Sequence, residues 1–370
     1  MRILVTGGAG FIGSHLVDAL VKQGHAVRVL DSLEEQVHEG TKPGYLNPNA
    51  EYVWGDVRDR PTLLKTLQSI EVVFHEAAFV GVGQSMYQIE KYISNNVGGT
   101  AILLDTLIND HVPIKKLIVA SSMSIYGEGS YQCSGCGPVF PSIRPENQLK
   151  KKQWEMHCPH CGQTVARIPT SEEKPLAPTS VYAVSKRDQE ELCLTVGRGY
   201  GIPTVALRYF NVYGPRQALS NPYTGVCAIF SARIKNDHSP IIFEDGDQSR
   251  DFIHVSDIVQ ANLLAMTNSK ADYGAFNVGT GKPTTVVQIA QALAKLYGKK
   301  VAPDLVEKYR AGDIRHCIAD ISTLQSLGFQ PSVSLADGLK QLVEWGQGVS
   351  AQDRVEAATK ELISRGLTKG

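Results

Sequence analysis

The 370-residue chain lacks a surplus of either charge, with 37 Lys and Arg against 37 Asp and Glu. A nucleic-acid-binding protein normally carries a basic excess, so that partner is disfavoured. Apolar runs approaching the roughly 18 residues of a membrane-spanning helix are also missing. Arg2-Ile3-Leu4-Val5 passes straight into Thr6-Gly7-Gly8, which gives neither the apolar core nor the cleavage site of a secretory leader. These absences predict a cytoplasmic chain with no membrane and no nucleic-acid partner. What remains, 42% apolar and 20% charged, suits a soluble globular protein of one large α/β unit or two lobes.

Cysteine is scarce and odd in number. Of seven, four fall in Cys133-Ser134-Gly135-Cys136-Gly137 and Cys158-Pro159-His160-Cys161-Gly162. Without an export signal, that spacing predicts metal rather than disulfides. Each CxxCG places two thiolates on a tight turn, and two such knuckles complete a tetrahedral four-cysteine site close to the zinc-ribbon pattern. Cys133, Cys136, Cys158 and Cys161 are therefore predicted to hold a structural zinc, with no open position for catalysis. The surrounding insertion, 128–174, has little apolar periodicity and is expected to need its metal to fold. It lies between two reactive segments, where it could cover the pocket or reach a subunit interface. Cys193, Cys227 and Cys317 sit in apolar surroundings and read as core.

Glycine, by contrast, is concentrated where close backbone approach requires it. Ile3-Leu4-Val5 reads as a buried strand, followed by Gly7, Gly10 and Gly13 and then an apolar helical pattern from Phe11 to Leu20. Gly7 and Gly10 let backbone approach a pyrophosphate, Gly13 lets helix and strand pack closely, and the helix start offers free N–H groups. Ala26–Leu30 forms a second strand ending in Asp31. An acidic residue there accepts hydrogen bonds from ribose hydroxyls and repels a 2′-phosphate, which favours NAD. Runs at 2–6, 26–30, 51–53, 71–75, 116–120 and 203–208 alternate with helical stretches. They predict an α/β, Rossmann-type, doubly wound parallel sheet.

Ser180-Val181-Tyr182-Ala183-Val184-Ser185-Lys186 puts Tyr182 and Lys186 one helical turn apart. An ammonium there is expected to lower the phenol's pKa toward working pH, and Ser122 can bond the same substrate oxygen. Together with TGGAGFIG, Asp31, Gly55-Asp56-Val57, His75-Glu76-Ala77-Ala78, Asn96-Val97-Gly98-Gly99-Thr100, SSMSIYG, Arg208–Pro215 and Gln248–Val255, this order resembles the extended short-chain dehydrogenase/reductase family that acts on nucleotide sugars. The resemblance covers about residues 1–348 outside the insertion. It implies Tyr182 as acid/base, Lys186 as its partner and Ser122 as the substrate hydroxyl contact. Gly7, Gly10, Phe11, Ile12, Gly13, Asp31, Asp56, Val57, Ala77, Ala78 and Asn96 are implied as the NAD pocket, shared with Tyr182 and Lys186. Asn211, Arg250 and Arg310 are implied as contacts of the substrate diphosphate.

Sugar 4,6-dehydratases of this family carry an Asp-Glu pair where this chain has Met123 and Ser124, which cannot remove water. Epimerisation at C4, or another reaction that begins with oxidation at C4 such as decarboxylation, is what remains. The loop Gly81–Tyr87, SSMSIYGEG and the cysteine insertion resemble the subgroup of dTDP-L-rhamnose 4-epimerases, with UDP-hexose, UDP-N-acetylhexosamine and UDP-glucuronate epimerases as alternatives. A non-catalytic NAD-dependent binding protein is the alternative of a different class. The expected organisation is an NAD domain over 1–210 and a nucleotide-sugar lobe over 211–348, whose stretch near 255–280 returns to the first lobe. A helical tail covers 349–370, and the resemblance implies a homodimer joined through helices including that of Tyr182.

Overall fold

The computed structural model describes residues 1–310 and 312–369; Gly370, the last residue of the expected tail, lies outside them. Seven parallel strands form the main sheet. From one edge they are Ala275–Val278, Thr204–Tyr209, Lys116–Ser122, Val72–His75, Arg2–Thr6, Ala26–Asp31 and Glu51–Trp54. Their central runs are continuous aliphatic stretches because both faces are covered, and Ile3, Leu4 and Val5 are fully buried. The first strand pairs with the second on one side and the fourth on the other. That reversal of direction opens a crevice beyond the strands' carboxyl ends.

The core of this lobe does not stop at residue 211. The helix Val255–Thr267, the seventh strand, and Leu324 and Phe329 all join it. The seventh strand would otherwise leave Thr204–Tyr209 as an open edge, so the chain crosses back twice. A second core gathers Phe230, Ile234, Ile289, Leu293 and Leu342 from the helices Val226–Lys235, Val286–Leu296 and Leu335–Gln347, with Leu219 from the segment before them. Thr285 and Gln288 close a capping box at the start of the middle helix. The strand Ser249–His254 links this lobe to Asn211–Tyr213, Pro283–Thr285 and His316–Cys317.

The insertion has more order of its own than its composition suggests. Gly137–Val139, Ser130–Cys133 and Ala166–Ile168 make a three-stranded antiparallel sheet over a small core of Tyr131, Val139, Met156 and Val165. It leans on the second lobe through buried charge. Arg144 pairs bidentately with Glu244, at 2.8 Å for each contact. Arg315, fully buried, reaches Glu155 at 2.5 Å, Asp245 at 2.7 Å and Glu244 at 3.0 Å. Glu128 accepts the backbone N–H groups of Arg315 and His316 at 2.7 and 2.8 Å. Glu244 adopts φ 56° to serve both arginines, a strained position for a non-glycine residue.

Removing one member of a buried ion cluster leaves its partners uncompensated. Arg315→Leu is expected to cost about 3–5 kcal/mol in denaturant unfolding. Arg187→Leu, which breaks an exposed pair with Glu191, is expected to cost under about 0.5 kcal/mol. Equal losses would show that the cluster carries no special weight.

Candidate active site

A cavity of about 640 Å³ follows the crevice. At its phosphate end the backbone is packed as closely as glycine permits. A Cβ on Gly13 would lie 2.3 Å from the Gly7 carbonyl oxygen, and one on Gly7 (φ 72°) would lie 2.8 Å from the Ala77 nitrogen. The helix Phe11–Lys22 starts at Gly10 with no side-chain cap, so its first N–H groups are left for an anion. Gly7, Gly10, Phe11, Ile12 and Gly13 all line the cavity.

Asp31 closes the adenosine side. Its Oδ2 accepts the Ala9 N–H at 2.9 Å and its Oδ1 the Leu33 N–H at 2.8 Å, which fixes the carboxylate with lone pairs to spare. His38 lies 3.9 Å away, and burial keeps its pKa below the usual value against the pull of Asp31. Asp56 is held by a fork from Arg58 at 2.6–3.1 Å, and those bonds keep its pKa below the usual range. Asp56, Val57, Ala77 and Ala78 share the wall. The glycine cradle, the uncapped helix start and the fixed carboxylate together fit a dinucleotide.

Asn96 does not line this cavity. It sits in a π-helical turn, Ile93–Gly98, and is fully buried. Its Oδ1 accepts the Phe79 N–H at 2.7 Å, while its Nδ2 reaches the Phe79 carbonyl at 3.1 Å and Ser185 Oγ at 2.9 Å. The side chain clamps the loop after the fourth strand to the reactive helix, and its neighbour Asn95 reaches the wall instead.

Ser122, Tyr182 and Lys186 converge at the far end of the crevice. Ser180 caps the helix Val181–Tyr200, accepting the Ala183 N–H at 3.1 Å. Lys186 Nζ donates to the Ala120 carbonyl at 2.8 Å. The expected lowering of the phenol's pKa is not what the structure shows. Burial pushes Tyr182 up, and the Ser122 hydroxyl pulls it only partly back. The charge of Lys186 is felt at His75 and at Glu76. Burial raises the Glu76 carboxyl to about 7 against the pull of Tyr209 and Lys186, and burial lowers Lys186 to about 8 against Glu76.

Sequence reasoning gives Glu76 no site role, although the His75-Glu76-Ala77-Ala78 run carries the signal, a carboxylate at the carboxyl end of a buried parallel strand. It accepts a bond from Tyr209 Oη at 2.8 Å, and Tyr209 in turn takes one from Asn262 at 2.7 Å. Its neighbour His75 is structural. Burial, with Lys186 next, holds its pKa down to about 3, and it is bracketed by Thr6 and Thr100 at 2.8 and 2.9 Å. Thr100 donates to the Asn96 carbonyl at 2.6 Å, so the ring offers its Nε2–H to Thr100 and accepts from Thr6.

On the other side of the crevice, Asn211 lines the cavity with a buried Oδ1 that has no partner among the described residues. Arg250 also lines it, with Nη1 and Nη2 anchored on the carbonyls of Ser249, Arg315 and Ile314 at 2.7–2.9 Å. Arg310 lies over the Phe243 ring at 4.6 Å and pairs with Asp313 at 2.8 Å. In the loop Gly81–Tyr87, Val82, Gly83 and Met86 face the cavity, while Ser85 Oγ accepts the Tyr182 N–H at 3.0 Å.

The four sulfurs of Cys133, Cys136, Cys158 and Cys161 lie within 4.8 Å of one another. Tetrahedral zinc thiolate needs sulfurs about 3.8 Å apart, so the donor set fits that ion. No residue of 128–174 lines the main cavity. The insertion contacts the segment around Arg315 and does not cover the cavity.

The profile of the NAD dependent epimerase/dehydratase family matches residues 3–145 and 159–279, and the gap between them falls in the cysteine insertion. A dTDP-L-rhamnose 4-epimerase of Burkholderia thailandensis is 34% identical over 93% of this chain and 94% of its own. A putative UDP-glucose 4-epimerase of Methanocaldococcus jannaschii is 35% identical over 93% and 97%. Among solved structures, UDP-glucuronic acid 4-epimerase of Bacillus cereus, in complex with UDP-glucuronic acid and NAD, superposes with a TM-score of 0.78. It is 30% identical and covers 95% of this chain and all, 100%, of that one.

Because Glu76 raises the pKa of Lys186, Glu76→Gln is expected to let Lys186 lose its proton at lower pH. The alkaline limb of the activity profile should move acidward, which a kcat–pH titration of both proteins reads. An unmoved limb would uncouple the two groups.

Proposed function

The chain belongs to the NAD dependent epimerase/dehydratase family, as an isomerase of its nucleotide-sugar branch, and on that premise we propose that it inverts C4 of dTDP-L-rhamnose to give dTDP-6-deoxy-L-talose. The observation that carries the sugar assignment is the wall beside Tyr182, where Val82, Gly83 and Met86 present apolar surface suited to a deoxygenated C6. Lys186 has one N–H on the Ala120 carbonyl, Arg250 is anchored on three carbonyls and Arg310 is paired with Asp313. In this reading their remaining N–H groups serve the cofactor ribose and the diphosphate, so none of the three is assigned to a uronate carboxylate.

NAD, when bound, would supply the hydride acceptor and a positive charge that favours the phenolate. As phenolate, Tyr182 Oη takes the proton of the C4 hydroxyl and later returns it to the rotated 4-keto sugar. Ser122 donates to the same oxygen. Lys186, anchored on Ala120, keeps its remaining N–H groups for the cofactor ribose. Arg250, Arg310 and Asn211 hold the diphosphate by charge and hydrogen bonding while the sugar turns. Tyr182→Phe is expected to lower kcat by about 10²–10⁴-fold and to leave the co-purified NAD content unchanged; full activity in this variant would remove Tyr182 from the chemistry.

The substrate is tested by proton NMR of the protein with dTDP-L-rhamnose and no added NAD. A second sugar nucleotide at equilibrium is expected. Epimerisation of UDP-glucose or UDP-glucuronate instead would transfer the assignment to those sugars.

The four-cysteine cluster is read as a structural zinc site, and the homodimer as joined through helices that include Val181–Tyr200. Metal analysis of protein purified without chelator is expected to find about one zinc per chain, and protein free of zinc would refute the assignment.

A further inference from the structure

The last segment of the chain crosses the mouth of the cavity from one lobe to the other. On the substrate lobe, Asp353 is gripped by Arg233 at 3.1 Å and His238 at 2.6 Å. Arg354 then reaches Glu39 on the cofactor side at 3.1 Å. The helix Val355–Ser364 buries Ala358 and Leu362, and Leu362 stands 3.3 Å from the point where a Cβ on Gly83 would lie. Arg365 covers the Tyr87 ring at 4.3 Å. Finally, Thr368–Lys369 pairs antiparallel with Tyr309–Arg310, the strand that carries one of the substrate arginines. Val355, Ala358, Thr359, Leu362 and Leu367 line the same cavity as Tyr182 and Arg250.

Two properties of this segment bear on the chemistry. Its cavity-facing side is mainly aliphatic, so it excludes water above the reacting sugar. Its helix has only ten residues and two buried side chains, too little to be stable away from the surface beneath it, so it can open locally without unfolding the lobes.

We propose that residues 353–369 are a strap that completes the nucleotide-sugar site. Leu362 forms the wall opposite the loop Gly81–Tyr87, and the pairing of Thr368–Lys369 sets Arg310 toward the diphosphate. The strap opens to admit substrate and closes to keep the ketone in place, a role that rests on the 4-epimerase reading. During oxidation the C4 hydroxyl proton goes to Tyr182, and the C4 hydrogen leaves with its electron pair for the nicotinamide. A ketone that escapes before the return step leaves both behind, one reduced cofactor for each sugar lost.

The test compares the full chain with a truncation after Gly348 and with Leu362→Asp, which keeps the strand pairing. Truncation is expected to weaken dTDP binding and to raise KM for dTDP-L-rhamnose, each about tenfold. It should also let the near-ultraviolet absorbance of reduced nicotinamide grow during turnover. Leu362→Asp is expected to raise KM and leak ketone while binding dTDP as the full chain does. The proposal is overturned if both variants match the full chain in KM and neither accumulates reduced cofactor. If the full chain leaves dTDP-L-rhamnose unchanged, the substrate reading fails. The strap is then judged on dTDP and UDP affinity alone, and equal affinities in the full and truncated chains would overturn it.

Discussion

A Cβ on Gly13 would stand 2.3 Å from the Gly7 carbonyl oxygen, and the cofactor half of the molecule is arranged around that contact. With no side chain between them, helix and strand close to backbone distance, and the helix start lands where the sheet reverses direction. The same approach brings Gly7 against Ala77, which places the loop after the fourth strand over the crevice. Asp31, at the end of the second strand, then faces the space the glycines leave. A larger residue at position 13 would move the helix, and with it every group that depends on the helix start for its position.

The substrate half depends on charge instead of close packing. Arg250 is held by carbonyls of residues 314 and 315, and Arg315 is in turn held by Glu128 through its backbone and by Glu155 and Asp245 through its side chain. The insertion therefore acts as a buttress behind the proposed diphosphate site. Buried ion clusters are poor sources of net stability but strong sources of geometric definition when every member is paired. Here the definition is passed to a guanidinium whose orientation governs how a phosphate is met.

How much was legible depended on how local each signal was. Gly7, Gly10, Gly13 and Asp31 were readable because a strand, a turn and a helix carry their meaning within about thirty residues. Tyr182 and Lys186 were readable as a helical pair, but the electrostatics between them were not. Burial raises the one and lowers the other, and the carboxylate that partly offsets it at Lys186, Glu76, lies about a hundred positions earlier. The clamp made by Asn96 was not legible, because motif spacing cannot tell a side chain that enters a cavity from one that ties down the loop behind it. The π-helical turn that decides the matter has no simple sequence signature. Arg144, Glu244 and Arg315 are separated by 100 and 71 positions in the chain, so no window of sequence brings them together. The tail's apolar helical face was visible, whereas the surface it covers was not.

The π-helical turn also fixes a length. An α-helix advances about 100° per residue, and a π turn accommodates one residue more than the α-helical path around it. Deleting one residue within Ile93–Gly98 would restore regular helix and rotate everything after it by about that angle. Thr100 would leave His75 and Gln189, the partners it now meets at 2.9 and 2.8 Å, and the clamp on Phe79 would have to come from a different side chain. Surface loops of this chain can drift in length, but this helix is counted to the residue.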